Sequence, residues 1–212
     1  MQYIAKHTTI PVPKVYCAFQ RKNRAYIVME SLKGKSICNG WKVRSAESQL
    51  RILQQLRNMV DSLRSLVPPS HMVANVHGGP LLDGRLPESP FGPFDSIEAF
   101  HRYLRGGLDN KSDRLPAIVN ELIELHQVGH WSSPVLTHSD LSSLNIIADG
   151  DTVTGIIDWE TSGWYPEYWE YTTASYVNPY NEFWKQEVDK FLTPFPEALH
   201  MEELPRVYFG DI

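Results

Sequence analysis

Two short apolar runs joined by an Asp-Gly turn constrain the fold of this chain more than any other feature of its sequence. The runs read "NIIA" and "VTGIID", and the polar segment "DGDT" separates them. β-Branched residues on both sides of an Asp-Gly pair are typical of a β-hairpin. With the turn at its tip, the hairpin places Asn145 opposite Ile156. Asp158 then lies just past Ile156, so an amide and a carboxylate are expected at the open end of the hairpin.

A third oxygen-bearing side chain precedes the hairpin, in the stretch "THSDLSSLN". Asp140 stands five residues before Asn145 in this loop. The carboxylates of Asp140 and Asp158 and the amide of Asn145 are therefore expected to converge on one point. Mg²⁺ prefers oxygen ligands of this kind together with substrate phosphates. In kinase chemistry the first Asp accepts the proton of the attacking hydroxyl, while the Asn and the second Asp hold the metal. The spacing fits those three roles.

Several side chains near this loop have both a chemical and a structural interpretation. His138 is a candidate catalytic residue, but a histidine in such a loop often packs and hydrogen-bonds to fix the backbone instead. The aromatic residues of segment 159–171 could stack on a planar ligand, or form a packed corner of the core. The acidic residues nearby could attract a cationic or polyhydroxyl substrate, or form a solvated rim: they are Glu160, Glu167 and Glu170.

The remaining segments predict a mixture of helices and strands. "MQYIAKH" predicts a helix that ends before two prolines, and "KVYCAF" and "RAYIVME" predict a second hairpin. The run "SAESQLRILQQLRNMVDSLRSL" predicts a long amphipathic helix with apolar residues at spacings of three and four: Leu50, Leu53, Leu56, Val60 and Leu63. Asp95 and Glu98 have capping-box spacing at the start of another helix, and a further helix ends at Gly129. The Gly- and Pro-rich segment 70–93 predicts an ordered loop over the surface.

Composition excludes several classes of protein. The chain has 20 basic and 25 acidic residues and a net charge of −5, without long runs of either sign, so we expect no nucleic-acid partner. No apolar run approaches the roughly 20 residues needed to span a bilayer, and the first residues lack the apolar core of a signal peptide. The two cysteines, Cys17 and Cys38, suit free thiols in a reducing compartment. We therefore expect a cytoplasmic protein without a membrane partner.

The stretches "LTHSDLSSLNIIAD" and "VTGIIDWETSGWYPEYWEY" resemble the fungal members of the aminoglycoside phosphotransferase-like family, which share the protein-kinase fold. The resemblance covers nearly the whole chain, because "TTIPVPKVY", "YIVMESLKGKSI", "LRSLVPP", "GGPLLDGR" and "FGPFDSIEAFHRYL" also look like that family. It implies an α+β, protein-kinase-like fold with a reduced N-terminal lobe and a mainly helical C-terminal lobe.

The same resemblance implies roles for individual residues. Asp140 corresponds to the catalytic-loop base, and Asn145 and Asp158 correspond to the Mg²⁺ ligands. A linker between the lobes presents backbone groups to the adenine of ATP, at these residues: Met29, Glu30 and Leu32. The implied cofactors are thus Mg²⁺ and ATP, and the implied substrate is a small molecule with a hydroxyl group.

Two features depart from the family pattern. Ser139 stands where the family usually has glycine, which adds a side chain beside the presumed base. The chain begins where the family's C helix ends, so the Gly-rich loop and the strand with the ATP lysine have no counterpart, as in an N-terminally truncated member. Because phosphoryl transfer depends on positioning and charge stabilisation, we expect these missing parts to slow it by orders of magnitude. We therefore expect a remnant of the N-terminal lobe at residues 1–35 and the C-terminal lobe at residues 36–212.

Three hypotheses of function remain open. The first is ATP- and Mg²⁺-dependent phosphorylation of a small-molecule hydroxyl. The second is a repurposed, nucleotide-free enzyme without cofactors, of the cyclase, lyase or isomerase type, in small-molecule biosynthesis. The third is a non-catalytic module, in which a second copy of the chain forms a homodimer that covers the truncated lobe.

Overall fold

The chain folds into a mixture of helices and short sheets in a computed structural model that describes residues 1–86, 88–129, 131–176 and 179–209. Within these ranges the helices are α1 (Gln2–His7), α2 (Ala46–Arg64), α3 (Ile97–Leu104), α4 (Ala117–Val128), α5 (Trp169–Ser175), α6 (Lys185–Phe191) and α7 (Pro196–Phe209). The strands are β1 (Val15–Arg21), β2 (Arg24–Met29), β3 (Lys35–Ser36), β4 (Val135–Thr137), β5 (Ile146–Asp149), β6 (Thr152–Ile156) and β7 (Gly163–Tyr165). Every helix in these ranges is too short or too polar to cross a membrane. The two cysteines are free.

Helix α2 is the long amphipathic helix that the sequence predicts. Its first turn is capped by Ser45, whose side chain accepts a hydrogen bond from the backbone N–H of Ser48 at 3.2 Å. The buried stripe differs at one position, because Leu50 is exposed and Ile52 is buried in its place. The helix packs against β4, β6 and α6, and thereby supports the strand before the loop 138–145 and the second strand of the hairpin that follows it.

Helices α3 and α4 confirm the predicted positions and correct two predicted caps. The N-cap of α3 is Ser96, whose hydroxyl accepts from the N–H of Ala99 at 3.1 Å, rather than Asp95. Serine and aspartate are equally good caps, so the sequence leaves this choice to the local backbone. Helix α4 ends at Gly129, but this glycine is extended, with φ −62° and ψ 129°, and not left-handed.

The segment 70–93 forms part of the core instead of a loop confined to the surface. Isolated antiparallel bridges join Val73 to Phe94 and Leu81 to Phe91. Three residues of the segment are buried: Val73, Leu81 and Phe91. Single bridging pairs are too short to produce a periodic pattern, which is why the sequence shows no sign of them.

Three small sheets organise the molecule, in the orders β1-β2, β3-β5-β6 and β4-β7. The turn between β1 and β2 has positive φ at Lys22 and Asn23, as a two-residue hairpin turn requires. This hairpin exposes between 42% and 61% of six large side chains: Tyr16, Phe19, Tyr26, Ile27, Val28 and Met29. The boundary expected between residues 35 and 36 falls inside β3, which pairs with β5.

Candidate functional site

The loop 138–145 connects β4 to β5, so it is anchored in two different sheets. Strand β4 pairs with β7, and β5 is the central strand between β3 and β6. At its first end, Thr137 is buried and its hydroxyl accepts a hydrogen bond from Nη1 of Arg64 on α2 at 3.2 Å. At its second end, the N–H of Ile37 donates to the carbonyl of Ile146 at 2.9 Å. The loop is therefore held at both ends by the core.

His138 fixes the backbone of this loop from inside the core. Its side chain is fully buried, and its Nε2 lies 2.9 Å from the carbonyl oxygen of Ile157. Its Nδ1 accepts from the N–H of Asp140 at 3.2 Å, so the Nε2 carries the proton. Burial lowers the pKa of His138 to about 4. A neutral imidazole that uses both nitrogens on the backbone orients Asp140 and the hairpin, which favours the structural role over the chemical one.

Glu170 on α5 holds the same loop from the other side. Its Oε2 accepts from the N–H of His138 at 2.7 Å, and its Oε1 accepts from the N–H of Ser139 at 3.0 Å. Burial raises the pKa of the Glu170 carboxyl, while the Arg64 guanidinium and the two N–H groups act in the opposite direction. The expectation that Glu170 belongs to a substrate-attracting or solvated rim is wrong, because the side chain is 1% exposed. Only Glu160 and Glu167 of that set are exposed.

Ser139 adopts the left-handed backbone conformation that usually favours glycine, with φ 69°. Its hydroxyl accepts a hydrogen bond from Nε1 of Trp169 at 2.9 Å and another from Nη2 of Arg85 at 3.2 Å. The side chain is thus buried, and its hydroxyl is held by Trp169 and Arg85. These bonds explain how a residue other than glycine is accommodated beside the candidate base.

Asp140 and Asn145 are joined across the loop. The Nδ2 of Asn145 donates to Oδ2 of Asp140 at 2.7 Å and to the carbonyl of Asp140 at 2.9 Å. Asp140 is partly exposed, whereas Asn145 is buried. Burial raises the pKa of the Asp140 carboxyl, while Arg85 and the Asn145 hydrogen bond oppose that shift. Because Nδ2 faces Asp140, the amide oxygen of Asn145 points to the opposite side.

Asp158 stands at the open end of the β5-β6 hairpin, next to Asn145, but the register differs from the expected one. Thr154 forms a bulge in β6, so Ile147 pairs with Gly155 and the N–H of Ile157 donates to the carbonyl of Asn145 at 2.9 Å. Asn145 therefore faces Ile157 rather than Ile156. The extra residue brings Asp158 one step closer to Asn145, in a left-handed conformation with φ 63°. Its side chain is exposed.

The linker residues lie beside this hairpin at one point. A Cβ at Gly155 would lie 2.2 Å from Cδ1 of Leu32, so the glycine allows Leu32 to pack directly on β6. The N–H of Glu30 donates to the carbonyl of Lys14, the residue before β1, at 2.9 Å. Met29 ends β2 opposite Val15 and is 45% exposed. Leu32 is thus in contact with the hairpin that carries Asn145 and Asp158.

The aromatic residues of segment 159–171 form a packed corner of the core, which confirms the structural interpretation. Each is at most 7% exposed: Trp159, Trp164, Tyr165, Tyr168, Trp169 and Tyr171. Tyr165 and Trp169 stack with their ring centroids 5.4 Å apart. A buried cluster of this kind positions α5, and with it Glu170, beneath the loop.

Arg85 and Asp83 also belong to the site, although no motif in the sequence predicts this. Asp83 is 1% exposed and accepts from Nε and Nη2 of Arg85 at 2.7 and 2.6 Å. The same Nη2 also donates to the carbonyl of Ser139. The only signal was the stretch "GGPLLDGR", which resembled the family but gave no indication that it reaches the loop 54 residues away.

Oxygen ligands for a metal are available at the hairpin end. In the part of the chain that the structure describes, no group of three or more His, Cys, Asp or Glu side chains is placed to hold a metal ion. Asn145 and Asp158 nevertheless supply an amide oxygen that is turned away from Asp140 and an exposed carboxylate. Two protein oxygens leave room for phosphate oxygens and water in an octahedral shell, which fits Mg²⁺.

Comparisons with known proteins agree with this architecture. The family model APH, described as phosphotransferase enzyme family, matches residues 1–208. No curated protein matches the chain. A thermostable mutant of aminoglycoside phosphotransferase APH(4)-Ia, in a ternary complex with ADP and hygromycin B, is 15% identical with a TM-score of 0.65, covering 96% of this chain and 70% of that one.

Two other solved structures are similar. The GDP complex of aminoglycoside 2'-phosphotransferase-IIIa is 15% identical with a TM-score of 0.56, covering 96% of this chain and 67% of that one. The aminoglycoside-3'-phosphotransferase of type VIII is 17% identical with a TM-score of 0.54, covering 98% and 77% respectively. These likenesses confirm the expected α+β, kinase-like fold.

Proposed function

This chain belongs to the phosphotransferase enzyme family, and from that premise we propose that it transfers a phosphoryl group from ATP to a hydroxyl of a small molecule, with Mg²⁺. The observation that carries the proposal is the junction of Asp140, Asn145 and Asp158 at one end of the β5-β6 hairpin. These are the groups that positioning and charge neutralisation in phosphoryl transfer require.

Asp140 is the general base in this proposal. Asn145 holds its Oδ2, and Oδ1 accepts no hydrogen bond from the residues that the structure describes. Oδ1 is thus the atom that receives the proton of the attacking hydroxyl. His138 and Glu170 fix the backbone on the N-terminal side of Asp140, so they act as positioning residues.

Asn145 and Asp158 are the metal ligands in this proposal. Bound there, Mg²⁺ would neutralise charge on the phosphate oxygens. The hydrogen bonds from Nδ2 of Asn145 to Asp140 keep the amide oxygen on the outer side of the loop. The backbone bond between Ile157 and Asn145 keeps Asp158 beside it.

The linker is the proposed place for the adenine ring. The N–H of Glu30 already donates to Lys14, so we assign the edge of the base to the carbonyl of Glu30 and the N–H of Leu32. Leu32 would form an apolar floor, since it packs on Gly155 between the linker and the hairpin. We retain the division into residues 1–35 and 36–212 as part of this proposal.

Calorimetric titration with ATP, in the presence and absence of Mg²⁺, tests the proposal. We expect wild-type protein to bind ATP only in the presence of Mg²⁺. Asp158→Ala should lose this Mg²⁺-dependent binding. The matched control is Asp149→Ala, since Asp149 is an exposed carboxylate at the closed end of the same hairpin. The absence of binding at millimolar ATP would contradict the proposal and is the result that a nucleotide-free enzyme predicts.

A homodimer that covers the β1-β2 hairpin is a separate proposal. It is supported by the six large, exposed side chains of that hairpin. Sedimentation velocity over a range of concentrations should show self-association, and Ile27→Lys should weaken it. A monomer at all concentrations would rule out the homodimer without affecting the proposed chemistry.

A further inference from the structure

Arg85 presents an unused edge of its guanidinium group beside the candidate base. Its Nε and Nη2 bind Asp83, and Nη2 also donates to the carbonyl and hydroxyl of Ser139. Nη1 donates no hydrogen bond to any residue that the structure describes. The side chain is 27% exposed, so part of it is accessible to a ligand. Two N–H groups of a fixed cation are therefore available next to the loop.

The surroundings of Arg85 hold it in one orientation. Asp83 is buried, accepts from the backbone N–H of Arg85 at 3.0 Å as well, and forms a two-point pair with the guanidinium. A paired planar fork loses little further freedom when its third nitrogen binds an anion. The bonds to Ser139 place the guanidinium within one peptide unit of Asp140. Arg85 is thus oriented before any ligand arrives.

The loop itself supplies no positive charge. Residues 138–145 read "HSDLSSLN" and contain neither lysine nor arginine, and His138 is held neutral by burial. A phosphoryl group that approached Asp140 would therefore meet carboxylates on Asp140 and Asp158. A cation is needed to offset that repulsion, in addition to any metal. Arg85 is the cation that the fold places in contact with this loop.

We propose that Nη1 of Arg85 binds an oxygen of the terminal phosphoryl group of the nucleotide, on the Asp140 side of the site. This role rests on the proposed function. It makes Arg85 the cation that binds the phosphoryl group, since the loop 138–145 contains neither lysine nor arginine. The bound oxygen lies on the group that is transferred, so Arg85 distinguishes a triphosphate from a diphosphate. Asp83 is the positioning residue for this contact.

Calorimetry with Mg·ATP, Mg·ADP and Mg·tripolyphosphate tests the proposal. We expect Arg85→Gln to weaken Mg·ATP and Mg·tripolyphosphate binding about tenfold or more, as the loss of a charged hydrogen bond implies, and to change Mg·ADP binding less than about twofold. Arg51→Gln is the matched control, because Arg51 also pairs with an aspartate through Nε and Nη2 but lies at the far end of the hairpin. Equal losses of ATP and ADP affinity in Arg85→Gln would overturn the proposal, as would an equal loss in Arg51→Gln.

Arg85→Gln leaves the buried Asp83 without its partner, so a second variant guards against misfolding. Asp83→Asn/Arg85→Gln removes both charges and should show the same selective loss of triphosphate binding. Arg85→Lys keeps the charge without the fork and should recover part of the affinity.

Failure of the proposed function has a different signature from failure of this role. If wild-type protein binds neither nucleotide, the proposed function fails. Binding of tripolyphosphate that Arg85→Gln loses would then still support the role of Arg85. No tripolyphosphate binding by wild-type protein would overturn it.

Discussion

The Nδ2 of Asn145 lies 2.7 Å from Oδ2 of Asp140 and 2.9 Å from the Asp140 carbonyl, so one amide fixes both the backbone and the side chain of the candidate base. The same amide has its oxygen on the other side, where Asp158 follows the residue paired with Asn145. In the proposed mechanism, a single side chain would therefore couple the orientation of the base to the coordination of the metal.

Asn145→Asp separates these two roles. It keeps an oxygen ligand but removes both N–H donors and adds a negative charge beside Asp140. We expect Mg²⁺-dependent ATP binding to persist while turnover falls about 10²-fold, because the base is no longer held in place. Asn145→Ala should lose both properties. Turnover at the wild-type level in Asn145→Asp, measured by ADP release, would contradict the positioning role.

Glu170 is expected to be required for stability rather than for binding of a substrate. Glutamine offers one acceptor oxygen where the loop presents two N–H groups, from His138 and Ser139. Glu170→Gln should lower the free energy of unfolding by about 1–3 kcal/mol, since a buried donor loses its partner. Urea denaturation measures the change. Glu167→Gln changes an exposed neighbour and should alter the free energy of unfolding by less than about 0.5 kcal/mol. Equal effects of the two substitutions would contradict the stabilising role of the hydrogen bonds to Glu170.

At Ser139, the smaller substitution should cost less stability than the larger one, because the backbone there is left-handed. Ser139→Ala loses the bonds to Trp169 and Arg85 and keeps the left-handed backbone, so both costs apply. Ser139→Gly loses the same bonds but removes the steric cost of about 1 kcal/mol. Thermal unfolding should therefore rank wild type above Ser139→Ala, with Ser139→Gly more stable than Ser139→Ala. The reverse order of the two variants would show that φ at this position carries no strain.

The sequence predicts that the three candidate site residues lie together, because they are close to each other along the chain. One short loop connects Asp140 to Asn145, and one hairpin connects Asn145 to Asp158. Both connections can be predicted from the local sequence. The predicted register of the β5-β6 hairpin differs from the observed one by one residue, because Thr154 forms a bulge. The bulge depends on how β6 packs, since the hydroxyl of Thr154 donates to the carbonyl of Lys33 at 2.6 Å. Local patterns do not contain that information.

The supporting role of Glu170, and the residues Arg85 and Asp83, could not be predicted because these groups are distant from the loop along the chain. Glu170 lies in a helix whose aromatic residues are all buried. An acidic residue within such an aromatic stretch is the one sequence feature that could have indicated a buried, structural carboxylate. Arg85 and Asp83 lie in a segment without periodicity, where burial depends on single bridges between distant residues. Only tertiary structure brings them to Ser139.

Gly155 and Leu32 should be energetically coupled. Gly155→Ala forces Leu32 away from β6, because the new Cβ would lie 2.2 Å from its Cδ1. We expect a destabilisation of about 1–3 kcal/mol in wild type and about 1 kcal/mol less in a Leu32→Ala background, where the space is free. A double-mutant cycle by urea denaturation gives the coupling. Additive effects would mean that the linker does not rest on the hairpin.

Stability should fall as the pH drops below about 6.5, because three of the histidines that the structure describes are buried in the neutral form. Burial lowers the pKa of His101 to about 3 and that of His126 to about 2, and their rings stack 4.2 Å apart. Their folded-state pKa values lie below the unfolded value, so the unfolded state binds more protons in this range. The stability that each contributes is complete above pH 6.5 and is lost as the pH falls toward the folded-state value. His138 behaves in the same way down to about pH 4.

His126→Phe tests this dependence, because it keeps a ring in the stack and removes one titrating group. Each buried histidine should contribute a slope of about 1.4 kcal/mol per pH unit between pH 6 and 4.5, so the variant should lose about that much of the wild-type slope. Urea denaturation at several pH values measures it. His77→Gln, an exposed position, should leave the slope unchanged. If the free energy of unfolding of His126→Phe keeps the wild-type pH dependence, then His126 binds its proton equally well in the folded and unfolded states. Its pKa would then not be lowered by burial, which would contradict the prediction.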